Sequence, residues 1–355
     1  MKERFGRINM WRRVVQGVLF AFLVYGAYLF PGRLESEALP AVKPPPGQPS
    51  TTRFTKDKVL WATDDKPVLE SYPPGAICRF NPKGGFFKAC VLHFLSENLT
   101  WQTHIKHFLP HLAFFGILAF VFARLWCGWA CPLGAVGDFM CWVRKKLGFD
   151  YVRFSRRTQR ILRIGSWTIL GLALGISLFA AFPPAEACKD QLFLPYCQIC
   201  PARLVFPLFG GKVQNFYDFS TLIYTVFSVL SWVLLALFVL AFVTGKNLWC
   251  RLCPIGAFPG FFNRGGGTAL IKTMPKCNGC GTCADACPVA STRVYDARKT
   301  GDVSNSECIL CLRCVELCPR DGALEFRLLG KTVARSSFNR GSGESNMRSG
   351  GGRQS

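Results

Sequence analysis

The sequence has few acidic residues and few histidines, and both shortages limit what it can do. Lysine and arginine number 43 against 21 for aspartate and glutamate, which gives a formal net charge of +22. Such an excess is compatible with nucleic-acid binding, but no recognition motif accompanies it. The four histidines all lie between His93 and His111, so no second histidine-bearing helix exists to sandwich a haem. No flavin or dinucleotide fingerprint occurs either, because Gly265-Gly266-Gly267 follows no predicted strand and lacks the required spacing.

Cysteine is abundant instead, with 18 residues, and eight of these form two runs of identical spacing. The runs are Cys277-x2-Cys280-x2-Cys283-x3-Cys287-Pro288 and Cys308-x2-Cys311-x2-Cys314-x3-Cys318-Pro319. This spacing is typical of bacterial two-cluster ferredoxins, in which the fourth cysteine of each run binds the other cluster. It predicts one [4Fe–4S] cluster on Cys277, Cys280, Cys283 and Cys318, and a second on Cys308, Cys311, Cys314 and Cys287. Zinc is the alternative ligand, but zinc sites close with two cysteine pairs rather than two runs of four.

Long apolar stretches are also present, and 50% of the residues are hydrophobic. They cover residues 14–30, 108–123, 164–182 and 219–243. A membrane-spanning helix needs about 20 mainly apolar residues, so the sequence predicts four spans. The first stretch follows basic residues as a signal peptide does, but it is long and no small-x-small cleavage site follows it. We therefore expect an uncleaved anchor.

The distribution of basic residues predicts the orientation of these spans. Residues 144–163 contain eight basic side chains and one acid, whereas residues 183–218 contain three of each. The positive-inside rule then places the basic N-terminus, residues 1–13, in the cytoplasm and residues 31–107 in an extracytoplasmic loop of the membrane domain 14–263. The ferredoxin domain, residues 264–334, falls on the cytoplasmic side. Residues 335–355 have the composition of a disordered basic tail.

Two further cysteine pairs follow the second and fourth spans in related sequences. These are Trp126-Cys127-Gly128-Trp129-Ala130-Cys131-Pro132 and Trp249-Cys250-Arg251-Leu252-Cys253-Pro254. An internal repeat after equivalent helices predicts two related hairpins whose four thiols meet at the cytoplasmic face. Thiolates there need neutralisation, so we expect a third cluster on Cys127, Cys131, Cys250 and Cys253. Zinc or disulfides are the alternatives, and the cytoplasm disfavours disulfides. Cys141 lies on the same side as a buried thiol or a substitute ligand.

These paired membrane motifs, followed by an eight-cysteine ferredoxin part, resemble the NapH-type membrane ferredoxins. Relatives of that family act in methylamine utilisation and in nitrous oxide reductase maturation. The resemblance covers residues 108–326 and implies a quinol-linked or ferredoxin-linked electron carrier that serves a partner oxidoreductase. In one respect the chain departs from the family pattern, because Cys250-x2-Cys253 is one residue shorter than Cys127-x3-Cys131.

Five cysteines fall on the extracytoplasmic side of the predicted topology: Cys78, Cys90, Cys188, Cys197 and Cys200. In an oxidising compartment they are expected to form disulfides, and the odd number leaves at least one thiol over. The alternative is a cluster at the outer face held by Cys188, Cys197 and Cys200, with Cys78 or Cys90 as the fourth ligand. Redox centres on both sides of a hydrocarbon core about 30 Å thick would let electrons cross it.

A quinol site is the hypothesis that best uses the histidines, because quinol oxidation needs proton acceptors near neutral pH. His107, His111 and Glu97 are the candidates. The alternative is that these residues lie at the membrane interface and bond only to water or backbone.

The sequence therefore predicts an α-helical membrane bundle of about four transmembrane helices in two related hairpins, with a small α+β two-cluster ferredoxin domain. We expect an iron–sulfur protein of the bacterial inner membrane that relays single electrons between quinol, or an extracytoplasmic donor or acceptor, and cytoplasmic clusters. Its partners would be membrane lipid, the quinone pool and an oxidoreductase, ferredoxin or cytochrome subunit, with no nucleic acid. The rival hypotheses are a maturation factor that reduces a metal or cofactor of a partner, and a redox-sensing regulator.

Overall fold

The structure, a computed structural model, describes the greater part of the chain. The described residues are 7–29, 60–61, 67–68, 78, 90–101, 105–148, 155–182, 192, 194–209, 219, 221–244, 246–247 and 249–337. Cys188, His104 and residues 338–355 lie outside them.

The first two thirds of the described chain are helical apart from one short ribbon. The helices are α1 (Arg7–Leu29), α2 (Val91–Trp101), α3 (Ile105–Phe122), α4 (Leu125–Trp129), α5 (Pro132–Lys146), α6 (Arg156–Phe179), α7 (Pro195–Ile199), α8 (Pro201–Phe209), α9 (Leu222–Thr244), α10 (Trp249–Leu252) and α11 (Pro254–Phe261). The ribbon pairs β1 (Leu60–Trp61) with β2 (Pro67–Val68) antiparallel.

Two of the described helices are long and apolar enough to cross a membrane, and they coincide with the third and fourth predicted spans. They are Arg157–Phe179 in α6 and Leu222–Ala241 in α9, and only 17% of each is buried inside the protein. Their apolar side chains, such as Leu172 and Val229, therefore face outward, as lipid-facing residues do. The second predicted span forms the shorter apolar helix Leu109–Phe122.

Two predicted boundaries differ in the structure. The basic N-terminus was expected to lie in the cytoplasm up to residue 13, but α1 already begins at Arg7. Arg12 is 2% exposed because its guanidinium pairs with Asp138 and donates to the carbonyl oxygen of Gly128 at 2.9 Å. The predicted outer loop likewise ends in the buried helix α2, which packs against α6 with Thr100 Oγ1 donating to the Ser177 carbonyl at 3.3 Å. Buried polar contacts and the packing of α2 on α6 thus hold both segments in the helical bundle.

The C-terminal domain is a small α+β unit. Its sheet has the order β4-β3-β5-β6, with all neighbours antiparallel. The elements are β3 (Thr268–Lys272), α12 (Thr282–Ala286), α13 (Arg293–Asp296), β4 (Gly301–Asp302), α14 (Arg313–Glu316), β5 (Leu324–Leu328) and β6 (Lys331–Arg335). Ser336 extends the predicted domain slightly, since its hydroxyl donates to the Arg320 carbonyl at 2.8 Å.

This domain docks closely on the end of the helical bundle that carries the paired cysteine motifs. The Gly267 amide donates to the Phe120 carbonyl at 2.8 Å, and the Trp129 indole donates to the Leu310 carbonyl at 3.1 Å. At Gly128 a Cβ atom would lie 2.2 Å from the Ile309 carbonyl oxygen, so only glycine permits this approach.

Candidate metal centres

The two ferredoxin loops have the same backbone conformation at equivalent positions. Gly279 and Gly281 in the first loop have positive φ angles of 70° and 80°. Leu310 and Leu312 occupy the matching positions of the second loop with φ angles of 49° and 60°. A left-handed leucine is strained by about 1–3 kcal/mol, and here it is held because both side chains are buried in the docking interface.

The first recess of the ferredoxin domain is lined by one complete predicted ligand set. Its cysteines are Cys277, Cys280, Cys283 and Cys318. The fourth of these comes from the second run, so the crossed arrangement that the spacing predicts is present in the geometry. Burial raises the pKa of Cys283 to about 11.

The second recess contains the other predicted set, with Cys283 of the first set at its edge. Its cysteines are Cys283, Cys287, Cys308, Cys311 and Cys314. Burial raises the pKa of Cys308 to about 12, and the neighbouring thiols of Cys311 and Cys287 add to the rise. The two recesses therefore share a wall, and the thiols of Cys283 and Cys314 interact across it.

The two membrane-domain pairs also meet. Burial, and then the thiol of Cys127, raises the pKa of Cys131 to about 12, with Cys253 contributing as well. Burial also raises the pKa of Cys250 well above its ordinary value, and the other three thiols add to the rise. Arg124 lies beside them, 3% exposed, and donates to the Cys250 carbonyl and, at 2.7 Å, to the Ser306 carbonyl. Its positive charge favours the thiolate forms of Cys250 and Cys253.

All three sets have the character of iron–sulfur ligand groups. Buried thiols with raised pKa values are neutral at pH 7, and a bound metal cluster would replace their protons and neutralise the thiolates. Among the described residues no three His, Cys, Asp or Glu side chains converge on the point that a single metal ion would occupy. None of the described cysteines forms a disulfide.

The remaining described cysteines are not where the predicted topology puts them. Cys78, Cys90 and Cys200 pack around a buried cluster that includes Ala173 in α6, together with Leu133 and Ile255 from the segments after the membrane-domain pairs. Burial, and to a smaller degree the thiols of Cys127 and Cys200, raises the pKa of Cys253 to about 11. In the structure these cysteines thus lie close to the inner site, whereas the sequence predicts the hydrocarbon core between them. The reason is that the apolar face of α8, with Ala202 and Phe206, folds back into the bundle.

The structure describes the side chains of two of the three predicted quinol residues, Glu97 and His111. Glu97 is 7% exposed and pairs with His93, whose Nε2 lies 3.7 Å from Glu97 Oε2. His111 packs its ring against Phe94 with centroids 5.9 Å apart. The side chain of His107 lies outside the described residues.

The polar residues that join the two domains were not predicted from the sequence. Arg251 and Glu307 form an ion pair at 2.7 Å, with side chains 1% and 8% exposed. Glu316 accepts from the amides of Ile8 and Asn9, and the Lys246 ammonium donates to the Asp285 carbonyl at 2.6 Å. The sequence did contain a signal for them, because charged residues such as Arg251 and Arg124 lie inside or next to the cysteine motifs.

Comparisons with known proteins agree with this architecture. The family described as "4Fe-4S binding domain" matches residues 110–150 and 225–272, which contain the membrane-domain pairs. The family described as "4Fe-4S dicluster domain" matches residues 269–319. Fold and sites together define a ferredoxin-type iron–sulfur protein with an apolar helical domain.

The chain is also similar to several individual ferredoxin-type and electron-transport proteins. The chain is 28% identical to "Ferredoxin-type protein NapH" of Haemophilus influenzae, over 55% of this chain and 60% of the relative. It is 25% identical to "Putative electron transport protein YccM" of Escherichia coli, over 75% of this chain and 67% of the relative. It is 27% identical to "Methylamine utilization ferredoxin-type protein MauN" of Methylobacillus flagellatus, over 46% and 48%. No solved structure matches.

The chain is similar to the NapH-type membrane ferredoxins, which agrees with the resemblance in its motifs. The matched region spans about 60% of the length of the NapH relatives.

The meeting of the two membrane-domain pairs leads to a direct prediction. Serine at Cys127 and Cys131 should remove the same iron as serine at Cys250 and Cys253, about four atoms per chain. The variant with all four changes should lose no more than either pair alone, because one site is destroyed once. Iron and sulfide analysis of anaerobically purified protein measures this. Additive losses would show two separate sites.

Proposed function

We propose that this protein is a multi-pass inner-membrane electron carrier that relays single electrons between the quinone pool and cytoplasmic ferredoxin clusters on behalf of a partner oxidoreductase. When bound, the clusters supply one-electron transfer, and the protein tunes it through burial and hydrogen bonds. The proposal rests on how the ligand groups are packed, and it extends the electron-transfer role that the name of the YccM relative carries.

The observation that carries the proposal is the continuity of the three cysteine groups. Cys127 and Cys250 of the membrane domain and Cys287 of the ferredoxin domain pack against one buried cluster of Val289, Ile309 and Cys311. Residues of two different candidate centres thus pack against the same buried apolar cluster. A ferredoxin domain attached by a loose linker would need no such contact, whereas a fixed path for electrons requires one.

The docking interface supports a permanent arrangement. The buried Arg251–Glu307 pair and the Asn263 amide, which donates to the Asn305 and Cys308 carbonyls at 2.6 and 2.7 Å, hold the second ferredoxin loop against the membrane domain. Glycine at position 128 lets the two backbones touch. These contacts set the spacing of the ligand groups.

The contacts of α1 support the proposed orientation. Its first residues bind Glu316 of the ferredoxin domain, so the N-terminal end of α1 and the ferredoxin domain lie on the same side. The eight basic residues of segment 144–163 support a cytoplasmic location for that side. The quinone would then approach the bundle near His111, which is half-buried on α3 against Phe94, with Glu97 buried on the same helix as Phe94.

The test uses the whole protein in liposomes that contain a long-chain quinone confined to the bilayer. Chemically reduced protein, freed of excess reductant, should be reoxidised by the quinone, and the visible absorbance of the clusters reports this. Serine at Cys127 and Cys131 should reduce the rate to that of protein in quinone-free liposomes. Serine at Cys141, whose thiol donates to the Asn247 amide oxygen at 3.2 Å, is the matched control and should leave the rate unchanged.

Equal rates with and without quinone in the native protein would refute the quinone link. A role confined to maturation makes a different prediction in cells. An already assembled partner oxidoreductase would stay active after this protein is removed, whereas a carrier is needed at every turnover.

A further inference from the structure

A fourth group of cysteines lies inside the helical bundle, apart from the two ferredoxin recesses and the paired motifs. Cys78, Cys90 and Cys200 pack around one buried apolar cluster, and Cys197 is 8% exposed beside them. His93 joins two of the four, since its amide donates to Cys90 Sγ at 3.4 Å and its Nδ1 lies 3.5 Å from Cys197 Sγ. We propose that Cys78, Cys90, Cys197 and Cys200 hold an additional [4Fe–4S] cluster in the interior of the membrane domain, adjacent to the site of the paired motifs.

The strongest support is that the backbone around Cys197 and Cys200 repeats the form of both paired motifs. In each case a short helix carries the first cysteine, the second cysteine follows it, and a proline begins the next helix. The three instances are α4-Cys131-α5, α7-Cys200-α8 and α10-Cys253-α11. The spacing Cys197-x2-Cys200-Pro201 also equals that of Cys250-x2-Cys253-Pro254. Two of these three units lie in segments that match a [4Fe–4S]-binding family, and the third lies outside every matched segment.

The amides that follow these cysteines are arranged for thiolate ligands. The amides of Ala202 and Arg203 donate to the Cys200 sulfur, as the amides of Leu133 and Gly134 donate to that of Cys131. Cys90 likewise precedes α2, and its sulfur accepts from the amide of His93 in the first turn of that helix. Amides at a helix N-terminus stabilise negative charge on sulfur. Cys90 and Cys200 have this support, and the four thiols are buried or half-buried, which matches the needs of a cluster better than those of free thiols.

A buried cation accompanies the group. Arg203 is 8% exposed, and its charge interacts with the thiols of Cys197, Cys78 and Cys200. A guanidinium in an apolar interior is costly unless a negative group faces it, and four thiolates on a cluster would provide that charge. In the paired motifs the charge of Arg124 interacts with the thiols of Cys250 and Cys253 in the same way.

The position of the site extends the series of ligand groups along α1. The ferredoxin domain touches Ile8 and Asn9, the first paired motif touches Arg12 and Gln16, and the buried cluster around Cys200 includes Val24. At 1.5 Å per residue, the step from Arg12 to Val24 is about 18 Å along the helix axis. That the fourth site is the membrane end of an electron path rests on the function proposed above. The presence of the cluster does not.

The test compares iron content in anaerobically purified full-length protein. Cys200→Ser should lower iron and acid-labile sulfide by about a quarter relative to the native chain, because one of four clusters is lost. Cys141→Ser is the matched control and should retain all of the iron. The proposal would be overturned if Cys200→Ser keeps the native iron content. It would also be overturned if the metal that this variant loses proves to be zinc rather than iron. Thiols at Cys197 and Cys200 that react with a label only after a reductant is added would overturn it too, since that indicates a disulfide.

A second variant decides the matter if Cys200→Ser fails to fold. Arg203→Gln should keep its iron but shift one cluster to a more negative reduction potential, because the lost positive charge favoured the reduced, more negative cluster. Arg203→Lys should restore the potential in part. Unchanged potentials for every cluster in Arg203→Gln would overturn the proposal. If Cys200→Ser loses iron while quinone-driven reoxidation persists, the cluster exists and only its place in the electron path is wrong.

Discussion

Replacing Cys318 with serine will remove the cluster held by Cys277, Cys280 and Cys283 and will leave the cluster of its own run in place. The reason is geometric, since Cys318 lines the first recess and not the second. Loss of one ligand from a cluster that is partly open to solvent should cost about four iron atoms per chain. Electron paramagnetic resonance of the reduced protein should show the coupling between the two ferredoxin clusters disappear.

The matched control for this change is Cys287→Ser, the fourth cysteine of the other run. Cys287 lines the second recess, so its loss should affect the cluster of Cys308, Cys311 and Cys314 instead. If each serine variant damages the cluster of its own run, the ligand sets are not crossed and the assignment of both recesses is wrong.

Replacing Glu307 with glutamine will loosen the docking of the ferredoxin domain. Arg251 would then be left as a buried charge without its carboxylate, which costs about 3–5 kcal/mol. The amide of Gly267, which donates to Phe120 across the interface, should lose protection from hydrogen exchange by about a hundredfold or more. Hydrogen exchange of the full-length protein measures this opening directly.

The matched control is Arg327→Gln, which breaks an ion pair with Glu325 in which the arginine is 44% exposed. An exposed pair contributes at most about 1 kcal/mol, so protection should fall by less than about tenfold. The double variant Arg251→Met/Glu307→Leu should regain most of the protection, because replacing both partners leaves no unpaired charge. A Glu307→Gln variant that behaves like the control would show that the pair does not hold the domains together.

Sequence patterns are most informative where the relevant contacts are local. The eight ferredoxin cysteines lie on two short loops, and their spacing already predicts the two ligand sets that the recesses display. The third and fourth predicted spans coincide with the two described helices that are long and apolar enough to cross a membrane, because that property depends only on local length and composition. Leu310 and Leu312 show the limit of this approach, because glycine in the first loop signals left-handed backbone and leucine in the second does not. Their conformation depends on burial in the domain interface.

The proximity of Cys197 and Cys200 to the other membrane-domain cysteines was not predicted from the sequence for a related reason. Counting basic residues assigns each connecting segment to one side of the membrane, and it assumes that the segment stays there. It cannot detect that α7 and α8 fold back among the helices, because that depends on Phe206 and Tyr196 finding apolar partners in distant parts of the chain. The same holds for α2, which sequence analysis placed in a loop, and for Arg12, which Asp138 draws into the interior.

The sequence by itself determined the class of this protein. Cysteine spacing predicts cluster binding because it depends on local loop geometry, and the length of an apolar run predicts helices long enough to cross a membrane. The tertiary structure alone decided which distant groups meet. It packed Cys127, Cys250 and Cys287 against Cys311, buried Arg251 against Glu307, and brought Cys90 and Cys197 to His93. These contacts join residues far apart in the chain, and they form because burying apolar surface and pairing buried charges lower the free energy only in the assembled fold.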